Sequence, residues 1–330
     1  MTHGWNWPAV ILITALGAAA PATTHDATID LGGLVLSVSI SRTAETFHIV
    51  DQLAQWDPYA HRQYVRWGAR SLALDAEDRR LLARHASLRR ARGWGQGFEQ
   101  AFLVPLPIDV AAKEAVAAGL LTDEEASSER EILEHFAPKL DSLMSRREAE
   151  EEAFESRLAG DRARLQPLIQ TLVRFTGAHA PVAVPVFLVA NPDSANGGGE
   201  ANGGRLVIEV PGPDPEGVVL HEALHFLLRP HEREIQAAAD SSGIPFQDLN
   251  EGIAYALSPG LTDDPARRDQ LVRELARRVL RGTAGSDPYA RFYMIAAVFR
   301  PILRRALDQG WTFERFLPEA VASWRRLAKP

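Results

Sequence analysis

The chain has 330 residues, 46% hydrophobic and 24% charged, which excludes a wholly disordered or collagen-like polypeptide. Its 36 Lys and Arg against 43 Asp and Glu leave a formal charge of −7, so it has no global electrostatic reason to bind nucleic acid. Cysteine is absent, which rules out disulfides, thiolate metal sites and cysteine nucleophiles, and leaves His, Asp and Glu to hold any metal.

Val10 to Ala20 is an apolar run, shorter than the roughly 20 residues that span a bilayer. Ala20-Pro21-Ala22 follows it, a small-x-small pattern of the kind cleaved after a secretory signal. Residues 1–22 are therefore expected to be a signal peptide, on a bacterial protein exported to the periplasm or the medium. A cytoplasmic protein is the alternative, because Thr2 to Pro8 contains no Lys or Arg. No later stretch is long and apolar enough for a membrane span.

Thr28 to Ile40 reads as β, with Leu34, Leu36, Val38 and Ile40 alternating onto one face. From Arg42 to about Gly177 the pattern is mostly helical. Phe47, Val50, Leu53 and Ala54 form one apolar stripe, and Leu72 to Arg92 is a second helix candidate. Thr122-Asp123-Glu124-Glu125 is a capping box that should start a helix. The charged stretch Arg146 to Glu155 reads as a solvated helical face, and His61, His85, His135 and His179 as surface or boundary residues.

After Gly177 the texture changes. Val182 to Ala190 and Arg205 to Val210 read as strands, joined by a turn-rich, low-complexity loop, Asn191 to Gly204. Helices are expected over Glu216 to Leu228, Pro245 to Leu257, Pro265 to Leu280, Tyr289 to Asp308 and Phe313 to Leu327. The expected class is α+β, mainly α-helical, with a small mixed sheet ahead of the Glu216–Leu228 helix. Residues 23–160 form a mainly helical N-terminal region with one β segment, and residues 161–330 a second domain.

That helix contains His221-Glu222-Ala223-Leu224-His225, an HExxH motif. Residues four apart share a helix face, so both imidazoles can meet one ion, and Glu222 can take a proton from a metal-bound water. Imidazole with carboxylate and an open position suits Zn²⁺. The helix is apolar all round, and two His and a Glu buried there are costly unless paired or metal-bound. The bland alternative is a pair of ordinary core histidines.

A third ligand has two candidates. Glu251 opens the apolar stretch Asn250-Glu251-Gly252-Ile253-Ala254-Tyr255-Ala256-Leu257. His231 lies six residues after His225, the spacing of a metzincin, but Leu228 stands where that pattern has Gly and no Met-turn follows. Glu251 is preferred.

HEALH followed by NEGIAYAL resembles the gluzincin branch of zinc metallopeptidases over about residues 180–260. That resemblance implies a zincin-like catalytic domain within residues 161–330. His221, His225 and Glu251 would be its zinc ligands, Glu222 its general base, and a peptide or protein its substrate. It further implies that Arg205–Val210 is an edge strand pairing with an extended peptide. The stretch SRTAETFHIVDQLAQWDPY, from Ser41 to Tyr59, is similar to uncharacterised bacterial proteins that also carry HExxH, and names no substrate.

Related peptidases place a Tyr or His donor where charge develops on the substrate carbonyl. Tyr289 and Tyr293 are the candidates, with Tyr255 and Arg291 behind them. Asn250 either orients a ligand or caps its helix. Asp240 could support a ligand His, though its position reads as surface. The rival function is a non-catalytic zinc-binding or peptide-binding protein that retains the zincin fold.

Overall fold

A computed structural model describes residues 25–57, 59–95, 97–179, 181–258, 264–280 and 289–327; the secretory segment expected over residues 1–22 lies outside them. The β segment near the start is two strands, β1 (His25–Asp30) and β2 (Leu34–Ile40). Gly32 and Gly33 separate them at φ of 76° and 131°, angles that side chains with a Cβ rarely adopt. Helices then run as α1 (Arg42–Ala54), α2 (Arg62–Ser71), α3 (Ala76–Arg92), α4 (Phe98–Phe102), α5 (Ile108–Ala117), α6 (Asp123–Gly160) and α7 (Arg162–Thr176). The capping box at the head of α6 forms as expected: Glu125 N–H donates to Thr122 Oγ1 (3.2 Å) and Thr122 N–H to Glu125 Oε2 (2.8 Å).

Strands β3 (Val182–Ala190), β4 (Gly199–Asn202) and β5 (Arg205–Val210) precede α8 (Pro215–Leu228), a 3-10 turn (Arg229–His231) and α9 (Glu232–Ser242). The chain continues as α10 (Phe246–Leu257), α11 (Pro265–Leu280), α12 (Ala290–Asp308) and α13 (Phe313–Leu327). The structure is thus α+β and mostly helical, with one mixed sheet in the order β1-β2-β3-β5-β4. Among the described residues no helix is long and apolar enough to cross a membrane.

The sheet corrects one expectation. Strand β5 is not an edge. It pairs in parallel with β3 (Val186 opposite Leu206) and antiparallel with β4 (Asn202 opposite Arg205). Gly203 and Gly204, at φ of 56° and 78°, make a two-residue turn with both central residues left-handed, the geometry that matches strand twist in a hairpin. The second half of the Gly-rich loop is therefore a strand that covers β5, and β5 offers no free edge to a peptide.

By contacts the chain falls into two units, each built from separated stretches. The first comprises residues 25–28, Ser37–Arg157 and Val184–Pro215. Its apolar core gathers Phe47 and Val50 of α1, Leu81 of α3, Phe98 and Phe102 of α4, Leu133, Phe136 and Leu140 of α6, and Val189 and Val207 of the sheet. Ionic groups are buried beside it. Arg89, 1% exposed, donates from Nε to Asp51 (2.7 Å) and from Nη2 to Glu99 (2.5 Å). Its guanidinium lies 4.5 Å from the Trp56 ring centroid. His85, expected at the surface, is wholly buried and donates from its two ring nitrogens to Asp51 and Glu129, both at 2.8 Å. His61 is likewise drawn inward. Its Nδ1–H and the Nε2–H of His48 donate to buried Glu209 at 2.7 and 3.0 Å, and Gln63 and the Gly198 amide also donate to that carboxylate. The expected solvated face at Arg146–Glu155 is also incomplete, because Glu151 and Glu155 are buried.

The second unit comprises the described residues within Ile29–Leu36, Leu158–Ala183 and Glu216–Leu327. Here α10 packs on α12, and α12 on α13. Phe175 meets Phe313 and Phe316 edge to face, with ring centroids 5.9 and 5.5 Å away, and Phe299 packs on Phe316. This apolar framework carries the motif helix and the helix that holds Glu251.

Candidate metal centre

Helix α8 starts at Pro215, where the missing N–H removes no helical hydrogen bond. Val219, Leu220, Ala223, Leu224, Leu227 and Leu228 bury it on nearly every side. The apolar helix thus carries its polar groups inside: His221 and Glu222 are each 8% exposed and His225 is half-buried. The two imidazoles lie one turn apart with ring centroids separated by 5.2 Å.

Helix α10 brings the carboxylate. Leu249, Ile253, Ala256 and Leu257 face the core, which leaves Asn250 and Glu251 on the remaining side. Gly252 sets the approach of α10 to α12. A Cβ there would lie 2.4 Å from Ile295 Cγ2, so only glycine permits this spacing. Glu251 is its neighbour in sequence.

The three side chains converge. His221 Nε2 is 3.2 Å from Glu251 Oε2 and His225 Nε2 is 3.6 Å from Oε1. One ligand atom from each residue lies within 4.8 Å of the others, the single such His/Asp/Glu group among the described residues. Ligand bonds of about 2.0–2.1 Å at tetrahedral angles put donor atoms roughly 3.3–3.4 Å apart, close to the two His–Glu separations here. Burial opposes ionisation of Glu251, yet the charge of His225 and hydrogen bonds from both histidines hold its carboxyl well below the usual range. Burial likewise opposes charging of His225, but Glu251 and, more weakly, Glu222 push the imidazole up to about 9. The pocket therefore favours one positive charge between the two rings and the carboxylate.

Compared with protein-family models, with curated proteins and with solved structures, the chain matches none. The site must be read from its own residues.

Asn250 does not cap its helix; Pro245 occupies that position. The Asn250 amide lies 3.2 Å from His225 Nδ1, the nitrogen remote from Glu251, and so orients the ring. Among the described residues the buried Nδ1 of His221 has no hydrogen-bond partner. Gln247, which the motif reading missed, donates to Glu251 Oε1 at 3.0 Å from one turn earlier; the i,i+4 spacing was its only signal.

His231 points elsewhere. Its Nε2–H donates to the Thr176 carbonyl at 2.5 Å, and its ring packs on Phe313 at 4.4 Å. Asp240 pairs with Gln236 on an exposed helix face and touches no ligand histidine. Of the tyrosines, Tyr255 is nearest: its ring centroid is 4.2 Å from that of His221. Tyr293 packs on Tyr255 at 4.8 Å, and Tyr289 packs edge-on against Phe292 at 5.8 Å. Burial, then Tyr293, Glu251 and Glu222, push the Tyr255 hydroxyl upward, so it stays protonated and able to donate. Arg291, between Tyr289 and Tyr293 in sequence, donates to Asp248 of α10.

Proposed function

We propose that the chain is a zinc-dependent hydrolase that cleaves peptide bonds, a gluzincin-like metallopeptidase with a zincin-like catalytic domain. The observation that carries this reading is the convergence of His221, His225 and Glu251 within 4.8 Å, with Glu222 on the same helix as the two imidazoles. Zinc bound there supplies a Lewis acid that acidifies a water and polarises a carbonyl. The two imidazoles and the Glu251 carboxylate would hold the ion, with Asn250 and Gln247 keeping those side chains in place.

Glu222 is the proton carrier. Its carboxylate takes a proton from the attacking water and gives it to the departing amine. Its charge acts on both His225 and Tyr255. The Tyr255 hydroxyl, with Tyr293 and Tyr289 beside it, donates to the carbonyl oxygen as negative charge develops there. Export through a signal at residues 1–22 belongs to the same proposal.

The test is Glu222→Gln in the zinc-loaded protein, read against a broad peptide library. Cleavage should fall by about 10²–10⁴-fold with zinc content unchanged. Equal cleavage by parent and variant would overturn the mechanism. A zinc-loaded parent that cleaves nothing would favour the non-catalytic binding protein.

A further inference from the structure

In the first unit, α1 carries Glu45 inward and α6 carries Glu151; they are 1% and 0% exposed. The two helices are tied together on either side of this point. Arg42 of α1 donates to Ser145 and Glu148 of α6, both at 3.2 Å, and Thr46 meets Met144. The Glu45 and Glu151 carboxyls stand within hydrogen-bonding reach of each other. Among the described residues no side chain donates to any of their four oxygens in ordinary geometry, and of the backbone groups only the Ala190 N–H lies close enough to lower the Glu45 carboxyl.

Two acceptors cannot bond one another, and two unshielded carboxylates in an apolar interior are strongly unfavourable. The facing charges do not resolve this. Arg42 Nη1 is 3.8 Å from Glu45 Oε2, but the rest of that guanidinium is engaged by Glu148, itself 42% exposed. Glu148 adds negative charge from α6, the Tyr64 hydroxyl of α2 donates to the Ala190 carbonyl, and the Ala190 backbone of β3 faces Glu45. One cation against two buried carboxylates leaves a deficit of one positive charge, which one proton fills.

We propose that Glu45 and Glu151 share one proton, and that this proton is a pH-sensitive latch holding α1 to α6. Protonation turns one acceptor into a donor and creates a short, charge-assisted O–H···O⁻ bond between the helices. Its loss leaves two like charges in contact. Burial, the largest influence on both groups, pushes the carboxyls of the pair upward, with Arg42 opposing. A carboxyl raised in the folded state contributes stability that is complete below its ordinary range and is lost as pH rises through the raised value. The latch is therefore closed in mild acid and opens between neutral and alkaline pH.

The experiment uses the full chain. Unfolding by denaturant is measured from about pH 5 to about pH 9 for the parent and for Glu151→Gln, whose carboxamide donates to Glu45 without a titrating proton. The parent should lose folding equilibrium constant by up to about tenfold per pH unit relative to the variant, the signature of one proton. Infrared spectroscopy of the folded parent near neutral pH should show a protonated carboxyl band that exposed glutamates have lost. An identical pH slope in parent and variant overturns the proposal. Should Glu151→Gln fail to fold, the infrared band of the parent decides alone, and its absence at neutral pH also overturns it.

Discussion

His221 Nε2 stands 3.2 Å from Glu251 Oε2, although the two residues are 30 positions apart in the chain. A metal entering this arrangement must displace a proton, because Glu251 pushes the His225 imidazole up to about 9 and a ligand imidazole has to be neutral. Zinc binding at neutral pH should therefore release about one proton and weaken as the solution is acidified. Calorimetric titration in two buffers of different ionisation enthalpy measures this. Binding without proton release would mean that the ion sits elsewhere.

Asn250→Ala removes the bond to His225 Nδ1 while leaving α10 otherwise intact. Zinc affinity, measured against a competing chelator, should fall by about 10–100-fold with little change in folding. His231→Ala should leave affinity unchanged, since that imidazole serves the Thr176 carbonyl.

Gly252→Ala places a Cβ 2.4 Å from Ile295 Cγ2. Overpacking of this kind costs about 1–3 kcal/mol. Because the strain falls beside Glu251, zinc affinity should decline together with thermal stability. A variant as stable as the parent would show that α10 and α12 can separate freely.

The shared face of His221 and His225 was legible because their spacing is local. The His221–His225 spacing fixes a shared face before any tertiary structure is known, and the Thr122–Glu125 cap is equally local. Glu251 could be suggested by context, but its meeting with His221 joins residues 30 positions apart, which no local pattern encodes. The hairpin at Gly203-Gly204 was hidden because the same residue that makes a tight turn also enriches a linker. The buried ionic cluster was missed for a different reason. Asp51, His85 and Arg89 are residue types usually at the surface, and only tertiary pairing makes their burial tolerable.

That cluster sets a pH window for the first unit. Burial opposes ionisation of Asp51 and Glu209, but Arg89 beside Asp51 and His61 beside Glu209 hold both carboxyls well below the usual range. Their support is present above the ordinary carboxylate range and is lost as pH falls. Burial opposes charging of His85, yet Glu129 and Asp51 push it up to about 9, so its support is present below 6.5 and is lost as pH rises toward that value. Stability should therefore peak in mild acid, and His85→Gln should flatten the alkaline limb.

Arg89→Met would leave Glu99 without its cation and Asp51 with His85 alone as a positive partner. Breaking a buried pair from one side costs about 3–5 kcal/mol, and denaturant unfolding of the variant should register a loss of that size.

The most direct measurement is elemental analysis of untagged protein purified without added metal. The parent should carry about one zinc per chain, and Glu251→Ala, folded but lacking the carboxylate that joins the two imidazoles, should carry far less. A parent with no zinc and no capacity to bind it, or a Glu251→Ala variant that retains its full complement, would contradict the metal centre.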